Sequence, residues 1–143
     1  MSGGLARFVE VQTGVYERAL DEIRAGRKRT HWMWFVFPQL RGLGRSASSM
    51  HYGIDGVEEA HAYLAHPLLG PRLEAATRCV LEAAQPPAQI FGELDGMKFR
   101  SCMTLFAAVS APGSVFHAAL RTGAGEDPMT LGLLATDPPE RGD

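Results

Sequence analysis

Cationic and aromatic side chains are concentrated in one stretch, residues 26–44, which reads GRKRTHWMWFVFPQLRGLG. The cations are Arg27, Lys28 and Arg29 before the aromatic run and Arg41 after it, and Arg45 follows directly beyond the stretch. Arginine presents a planar pair of donors that matches phosphate or carboxylate, and lysine adds a compact positive charge. Where the two groups of cations meet, their fields add and favour an anion. The pattern predicts a site for a small anionic ligand, with a solvated basic loop as the alternative.

Two tryptophans of the same run, Trp32 and Trp34, are candidates for a wall that stacks on a base or a nicotinamide-like ring. Aromatic residues at this density are also typical of a core. On a helix the two rings project about 200° apart, at roughly 100° per residue, so both cannot line one surface. We expect one ring in the core and the other at the site, and the sequence leaves open which. His31 begins the run and is expected at the rim of the site.

Further polar side chains lie on the helix predicted after Asp95, where Lys98, Ser101 and Thr104 follow one another at spacings of three residues. This spacing places them in one stripe, so Lys98 and Ser101 are candidates for the wall opposite the cationic stretch. A serine near a lysine can act as nucleophile and base, but only the spacing supports such a pair here. No catalytic residue is assigned from the sequence, and whether the protein is an enzyme stays open.

The other residue patterns indicate little further chemistry. Two Cys and five His without metal-ligand spacing predict no metal site, and the pair Gly42-x-Gly44 lacks the third glycine and the preceding strand of a dinucleotide fingerprint, so no cofactor is predicted. The net charge of -2 disfavours nucleic acid as a partner. Without an apolar signal core or a run of 18 apolar residues, we expect no membrane partner and a cytoplasmic location. The oligomeric state stays open.

Helical periodicity accounts for nearly the whole chain. The predicted helices run over Leu5–Ala25, His31–Phe37, the Asp55 capping box to Ala65, Leu68 or Pro71 to Ala84, Ala88–Phe91, Gly96–Val109, Ser114–Thr122 and Met129–Ala135. The run 31–37 is equally rich in strand formers, and helix is preferred because its neighbours are helical. The 143 residues predict an all-α fold, a compact single multihelical domain of about seven or eight short helices over residues 1–136, with a flexible polar tail at 137–143.

Several polar residues and glycines are predicted to mark helix ends. The predicted N-caps are Thr30, Asp95 and Asp127, the capping box pairs Asp55 with Glu58, and Gly26 and Gly123 follow the ends of their helices. The outward face of the first helix, which includes Arg7 and Glu22, is predicted to be solvated surface.

The segments RKRTHWMWFVFPQLRGLGRS, YGI, HPLLGPRL, IFG, MKFRSCMTLFAA and EDPMTLGLL together resemble an uncharacterised bacterial family. It is the domain-of-unknown-function family eighteen-ten, sometimes mislabelled calpastatin. The resemblance runs in order from Leu5 to Ala135, and its first motif is specific. It implies a compact multihelical fold and no established activity. The calpastatin label implies nothing, because that inhibitor is long and disordered.

A weaker similarity is to the YbiA-like family, whose members act on nucleotide-linked ribose compounds by N-glycosidic chemistry. It rests on Leu120, Thr122 and Gly123, which look like that family's Leu-x-x-Thr-Gly turn. The other family's Ser-x-Glu-His segment has no counterpart, because this chain has Thr30-His31-Trp32 without the acid.

Two hypotheses for the function follow. The first is a domain that binds or acts on a small anionic, nucleotide- or ADP-ribose-like ligand at the basic and aromatic residues. The second is a non-enzymatic protein-interaction module that uses the same surface, since Trp and Arg are also favoured anchors of interfaces. A concave pocket containing His31 and a Trp face would favour the ligand, and a flat apolar patch would favour the partner.

Overall fold

The computed structural model describes residues 4–123 and 125–135. The helices in this range are α1 Ala6–Gln12, α2 Tyr16–Arg24, α3 Met33–Val36, α4 Ala47–Tyr52, α5 Val57–Ala65, α6 Leu69–Glu82, α7 Pro87–Phe91, α8 Glu93–Ala108, α9 Val115–Arg121 and α10 Pro128–Ala135. Extended backbone pairs once within these residues, at an isolated parallel bridge between Leu40 and Ile54. The predicted all-α fold is confirmed, although ten helices replace the expected seven or eight. The expected tail at 137–143 lies outside the described residues.

Helix α8 is the centre of the core, because it packs against α3, α7, α9 and α10. Cys102, Met103 and Phe106 on this helix are fully buried. The Phe106 ring contacts Tyr63 and Phe116, with centroids 5.3 and 5.9 Å away. At 16 residues α8 is the longest helix of the described part of the chain, where no helix is long and apolar enough to cross a membrane.

The predicted first helix, Leu5–Ala25, is wrong as a single element, because the chain turns after α1 and restarts as α2. Gly14 has a φ of +81°, a left-handed conformation that no α-helix contains. The turn changes the direction of the chain, so one continuous periodicity assigns the exposed face incorrectly. Arg7 and Glu22, predicted to be solvated, are both buried. Arg7 donates to the carbonyls of His51 and Gly53 and pairs with a carboxylate on α5.

Gly26 ends α2 as predicted, with a φ of +82°. Its N–H donates to the carbonyl of Ile23, and the N–H of Arg27 donates to the carbonyl of Glu22 at 3.0 Å. This pair of bonds is the Schellman motif, which satisfies the last carbonyls of a helix and reverses the chain. The motif sends residues 27–31 back across the end of α2 toward α8.

The aromatic run forms a shorter helix than predicted, α3, between Met33 and Val36. Trp32 is its N-cap residue and makes no capping bond through its side chain. The predicted cap, Thr30, instead donates its hydroxyl to Glu22 at 2.6 Å. A helix that the sequence did not predict, α4, follows at Ala47–Tyr52, with Ser46 accepting a capping bond from the Ser49 N–H.

The predicted caps later in the chain fall into two groups. Asp127 is confirmed, because its Oδ2 accepts the Thr130 N–H at 3.0 Å at the start of α10. Asp95 is wrong as a cap, because α8 begins two residues before it, at Glu93. The predicted Asp55–Glu58 capping box is also wrong, because Asp55 pairs with Arg41 and its N–H bonds Glu59. Gly123 follows the end of α9 as predicted, with its N–H donating to the Leu120 carbonyl and without a positive φ.

Candidate functional site

The loop that leads into the site is fixed by one buried carboxylate, that of Glu22 on α2. Its Oε1 accepts the backbone N–H groups of Arg29 at 2.7 Å and Thr30 at 3.1 Å, and the indole N–H of Trp32 at 2.9 Å. Its Oε2 accepts the Thr30 hydroxyl. Burial alone would raise the pKa of Glu22, but the donated hydrogen bonds outweigh it and lower the pKa to about 2. Glu22 is therefore ionised at neutral pH, and its charge holds residues 29–32 in one conformation.

A second carboxylate, that of Asp95 on α8, joins the chain's two lysines. Its Oδ2 lies 2.8 Å from Nζ of Lys28, and its Oδ1 lies 3.1 Å from Nζ of Lys98. The Lys28 side chain is 8% exposed and that of Asp95 is 19% exposed, whereas that of Lys98 is 36% exposed. Burial raises the pKa of Asp95, but the hydrogen bonds and charges of both lysines outweigh it, so the pKa lies below its ordinary value. Asp95 is a carboxylate bridging one buried and one half-exposed ammonium group.

These residues line a pocket of about 130 Å³ between the loop 28–31, α3, α4 and the first turns of α8. Its polar walls are Lys28, His31, Ser48, Asp95 and Lys98, and its apolar walls are Trp32, Met33, Trp34 and Phe35. Two ammonium groups share one carboxylate here, so the three side chains together carry one positive charge. His31 is exposed at this pocket. The arrangement can accept an anionic group next to apolar ring surface.

Both tryptophans line this pocket, which contradicts the prediction that the two rings cannot share one surface, because Trp32 precedes α3 and does not have helical backbone angles. Their burial differs, as the sequence predicted. Trp32 is 1% exposed and packs in the core, with its ring 6.2 Å from Phe91. Lys28 lies over the Trp32 ring, with Nζ 5.3 Å from the ring centroid, which adds a cation–π contact to its ion pair. Trp34 is half-buried. Gly44 packs near its indole, so the glycine-containing loop after α3 supports the ring that remains accessible at the pocket.

Of the predicted site residues, the structure brings Lys28, His31, Trp32, Trp34 and Lys98 together around this pocket. Four others do not line it. Arg27 lines a separate pocket of about 500 Å³ shared with Lys28, and Arg29 is exposed while its backbone N–H bonds Glu22. Arg41 donates to the Met50 carbonyl and pairs with Asp55. Ser101 donates to the Met97 carbonyl and to Asp127, so it supports the start of α10.

Sequence reasoning missed two acidic residues that organise the site. Asp95 was predicted as a cap, although its spacing of three residues from Lys98 is a signal for an ion pair on one helix face. Its pairing with Lys28 joins residues 67 positions apart and has no local signal. Glu22 was assigned to the solvated face, and its role depends on the chain reversal at Gly26. Ser48 was also missed, because α4 was not predicted.

A larger pocket of about 500 Å³ lies elsewhere, between α7, α8, α9 and the segment around Gly125. Its walls are mainly apolar and include Pro86, Pro87, Met103 and Leu120. Thr122 and Gly123, which carry the similarity to the YbiA-like family, also line it. Arg100 at its edge donates to the carbonyls of Gly125 and Glu126, both at 2.7 Å. The predicted basic residues lie outside this pocket.

Within the described ranges, no group of three or more His, Cys, Asp or Glu side chains is placed to hold a metal ion. Both cysteines are buried thiols, as predicted. Burial raises the pKa of the Cys102 thiol well above its ordinary value, so the thiol is protonated at neutral pH and a poor nucleophile.

Comparisons with known proteins agree with the fold and the motifs. The family model described as "Protein of unknown function (DUF1810)" matches residues 2–134, which confirms the resemblance to family eighteen-ten. Among solved structures, the crystal structure of the conserved hypothetical protein Rv1873 from Mycobacterium tuberculosis is similar, at 49% sequence identity and a TM-score of 0.90. That match covers 94% of this chain and 99% of the other. No curated protein matches. The similarity to the YbiA-like family stays a prediction.

Proposed function

The chain belongs to the family described as protein of unknown function (DUF1810), and for this member we propose that the pocket at Lys28 and Lys98 binds the anionic group of a small ligand. One observation carries the proposal: two ammonium groups converge on the single carboxylate of Asp95 within a concave, aromatic-lined pocket. One positive charge is left over in partly desolvated surroundings. Such a charge is stabilised by an anion that enters the pocket.

The size of the pocket limits which part of a ligand it takes. Its volume of about 130 Å³ is well below the roughly 300–1,000 Å³ of sites that enclose a whole small-molecule ligand. A phosphate or carboxylate group fits such a volume, whereas a whole nucleotide does not. For a nucleotide- or ADP-ribose-like ligand, the pocket therefore accommodates one charged end. The rest of the ligand extends outward past the half-buried Trp34, whose ring offers apolar contact surface.

The alternative, a protein-interaction module that uses the same surface, has weaker support. Hot spots of protein interfaces are large exposed aromatic and arginine side chains at the centre of a patch. Trp32 and Phe37 are both buried in the core, and Arg41 is occupied by Asp55. What remains accessible around His31 and Trp34 is concave, a shape that favours a small ligand over a flat partner surface.

The test uses the chain's two indole N–H groups as reporters, since Trp32 and Trp34 are its only tryptophans. Inorganic phosphate is titrated at constant ionic strength while the indole signals are followed by NMR. We expect a saturable shift of the Trp34 signal. Lys98→Gln removes one charge-assisted contact, so we expect the dissociation constant to rise about tenfold, which corresponds to about 1.4 kcal/mol.

The matched control is Arg121→Gln, which removes an exposed positive charge on α9 outside the pocket. It should leave the dissociation constant for phosphate unchanged within about twofold. The same loss of affinity in both variants would mean that phosphate responds only to the overall charge. That result, or the absence of a saturable shift in the unmodified protein, would contradict the proposal.

A further inference from the structure

Building on the proposed anion site, we propose that its ligand is a hydroxylated anion, a phosphorylated sugar or polyol, and that Asp95 accepts a hydrogen bond from a ligand hydroxyl. The positive charge of the pocket alone does not define the class of ligand. It rests on Asp95, which lines the same pocket as the two lysines.

A bare anion meets an unfavourable neighbour in this pocket. Lys28 and Lys98 attract it, but the carboxylate of Asp95 lies within 2.8 and 3.1 Å of their ammonium groups. The hydrogen bonds from both lysines favour the ionised form of Asp95. An anion that approaches Lys98 therefore comes close to a fixed negative charge, and like charges at such separations repel.

Asp95 is held in place by the more buried of its two partners. The Lys28 side chain is 8% exposed, so loss of Asp95 would leave a buried ammonium group without its counter-charge. Breaking a buried ion pair by removing one partner is strongly unfavourable. Lys98 is 36% exposed and loses less when its contact with Asp95 lengthens. A ligand thus exchanges contacts with Lys98 while the Lys28–Asp95 pair persists.

A hydroxyl group next to the anionic group turns the repulsion into attraction. An ionised carboxylate has about four acceptor positions, of which the two lysines use two, so Asp95 retains capacity to accept. A hydroxyl that donates to a carboxylate forms a charge-assisted hydrogen bond. Lys98 then holds the phosphate, Asp95 holds the neighbouring hydroxyl, and the carbon skeleton contacts the Trp34 ring. Phosphorylated sugars and polyols carry both groups in one small molecule.

The experiment compares two ligands of equal carbon length, glycerol 3-phosphate and propyl phosphate, with inorganic phosphate as the reference for the proposed function. Binding is measured by calorimetry and by the Trp34 indole signal. We expect glycerol 3-phosphate to bind about tenfold more tightly than propyl phosphate, because only it has hydroxyl groups. Asp95→Asn should weaken this preference, because an amide oxygen accepts a hydroxyl less strongly than a carboxylate, while binding of propyl phosphate is retained or strengthened. Asp21→Asn, at an exposed carboxylate of α2, is the control and should keep the preference.

Each outcome decides between the two claims. If both organic phosphates bind the unmodified protein equally, the inference is wrong and the anion site stands. If inorganic phosphate and both organic phosphates fail to bind, the proposed function fails and the inference fails with it. A preference of unchanged size in Asp95→Asn would also overturn the inference, because the charge of the carboxylate would then play no part in accepting the hydroxyl. If Asp95→Asn does not fold, the ligand pair measured on the unmodified protein still decides the outcome.

Discussion

At the residue scale, the Glu22 carboxylate fixes the approach to the candidate site. It accepts four hydrogen bonds, from Arg29, Trp32 and twice from Thr30, and all of these donors belong to the loop that carries Lys28 and His31 into the pocket. The protonated form of Glu22 would accept these bonds less well. Protonation of Glu22 therefore weakens the loop, and with it the pocket.

The first prediction is that Glu22 makes the free energy of unfolding depend on pH in the acid range. Its pKa falls from 4.5 to about 2 in the folded state, so between these pH values the unfolded chain binds a proton that the folded chain does not. Stability from this group is complete above about pH 4.5 and is lost as the pH falls through about 2, by on the order of 3 kcal/mol. Glu22→Gln should lower the urea midpoint at pH 7 and flatten its dependence on pH in the acid range.

The control for this prediction is Glu82→Gln, at an exposed carboxylate that ends α6. It should leave both the midpoint at neutral pH and the acid dependence unchanged. An acid dependence in Glu22→Gln equal to that of the unmodified protein would show that another group titrates there.

Single residues also show how much of the site could be predicted from the sequence. The types of side chain in residues 27–34 indicated an anion and an aromatic wall, and five of the nine predicted residues line one pocket. Two predicted residues that do not line it, Arg41 and Ser101, instead bind Asp55 and Asp127, which lie further along the chain. A pairing over such a distance leaves no periodic signal in the sequence.

At the scale of elements, glycines decide where the N-terminal helices begin and end. Periodicity alone joined α1 and α2, because the apolar positions continue at a helical spacing across Gly14. The helix propensity of glycine is low but does not by itself stop a helix, so the break was not predictable from residue type. The positive φ at Gly14 shows the conformation that the chain adopts there.

The second prediction compares two glycines in open surroundings. A Cβ at Gly14 or Gly132 would meet no atom within 4 Å, so neither change creates a steric clash. Gly14→Ala should destabilise the protein by roughly 1 kcal/mol, because alanine disfavours a positive φ. Gly132→Ala, within α10, should stabilise it by roughly 0.5–1 kcal/mol, because alanine is the better helix former. Thermal denaturation of both variants measures whether each change raises or lowers the stability. The same change in stability in both variants would contradict the explanation from backbone conformation.

The third prediction concerns the cap of α10. The Asp127 carboxylate accepts the Thr130 N–H and hydroxyl and the Ser101 hydroxyl, and so joins the start of α10 to α8. Asp127→Ala should cost about 1–2 kcal/mol by urea denaturation. Asp127→Asn retains an acceptor and should cost clearly less. If both variants unfold at the midpoint of the unmodified protein, the cap does not stabilise the helix.

At the scale of the whole molecule, the fold class was predictable, whereas the arrangement of the helices was not. Helical periodicity is a local property, and it located most of the elements from α5 onward to within a few residues. The packing of α8 against α3, α7, α9 and α10 depends on shapes that form only once the chain is compact. The arrangement of the candidate site could not be predicted for the same reason, because its walls come from the loop 28–31, α3, α4 and α8.

The last prediction tests whether the described helices unfold as one unit around α8. The Phe106 side chain is 0% exposed in the core, where its ring contacts those of Tyr63 and Phe116. Phe106→Ala should therefore cost about 3–5 kcal/mol, a large part of the 5–15 kcal/mol typical of a domain. Met97→Ala, on the same helix at 63% exposure, should change stability by less than about 0.5 kcal/mol.

In urea denaturation a cooperative single domain predicts a lower midpoint for Phe106→Ala with an unchanged slope. A second transition in that variant would mean that helices remote from α8 fold without it, and an unchanged midpoint would mean that the core tolerates the loss of its central ring.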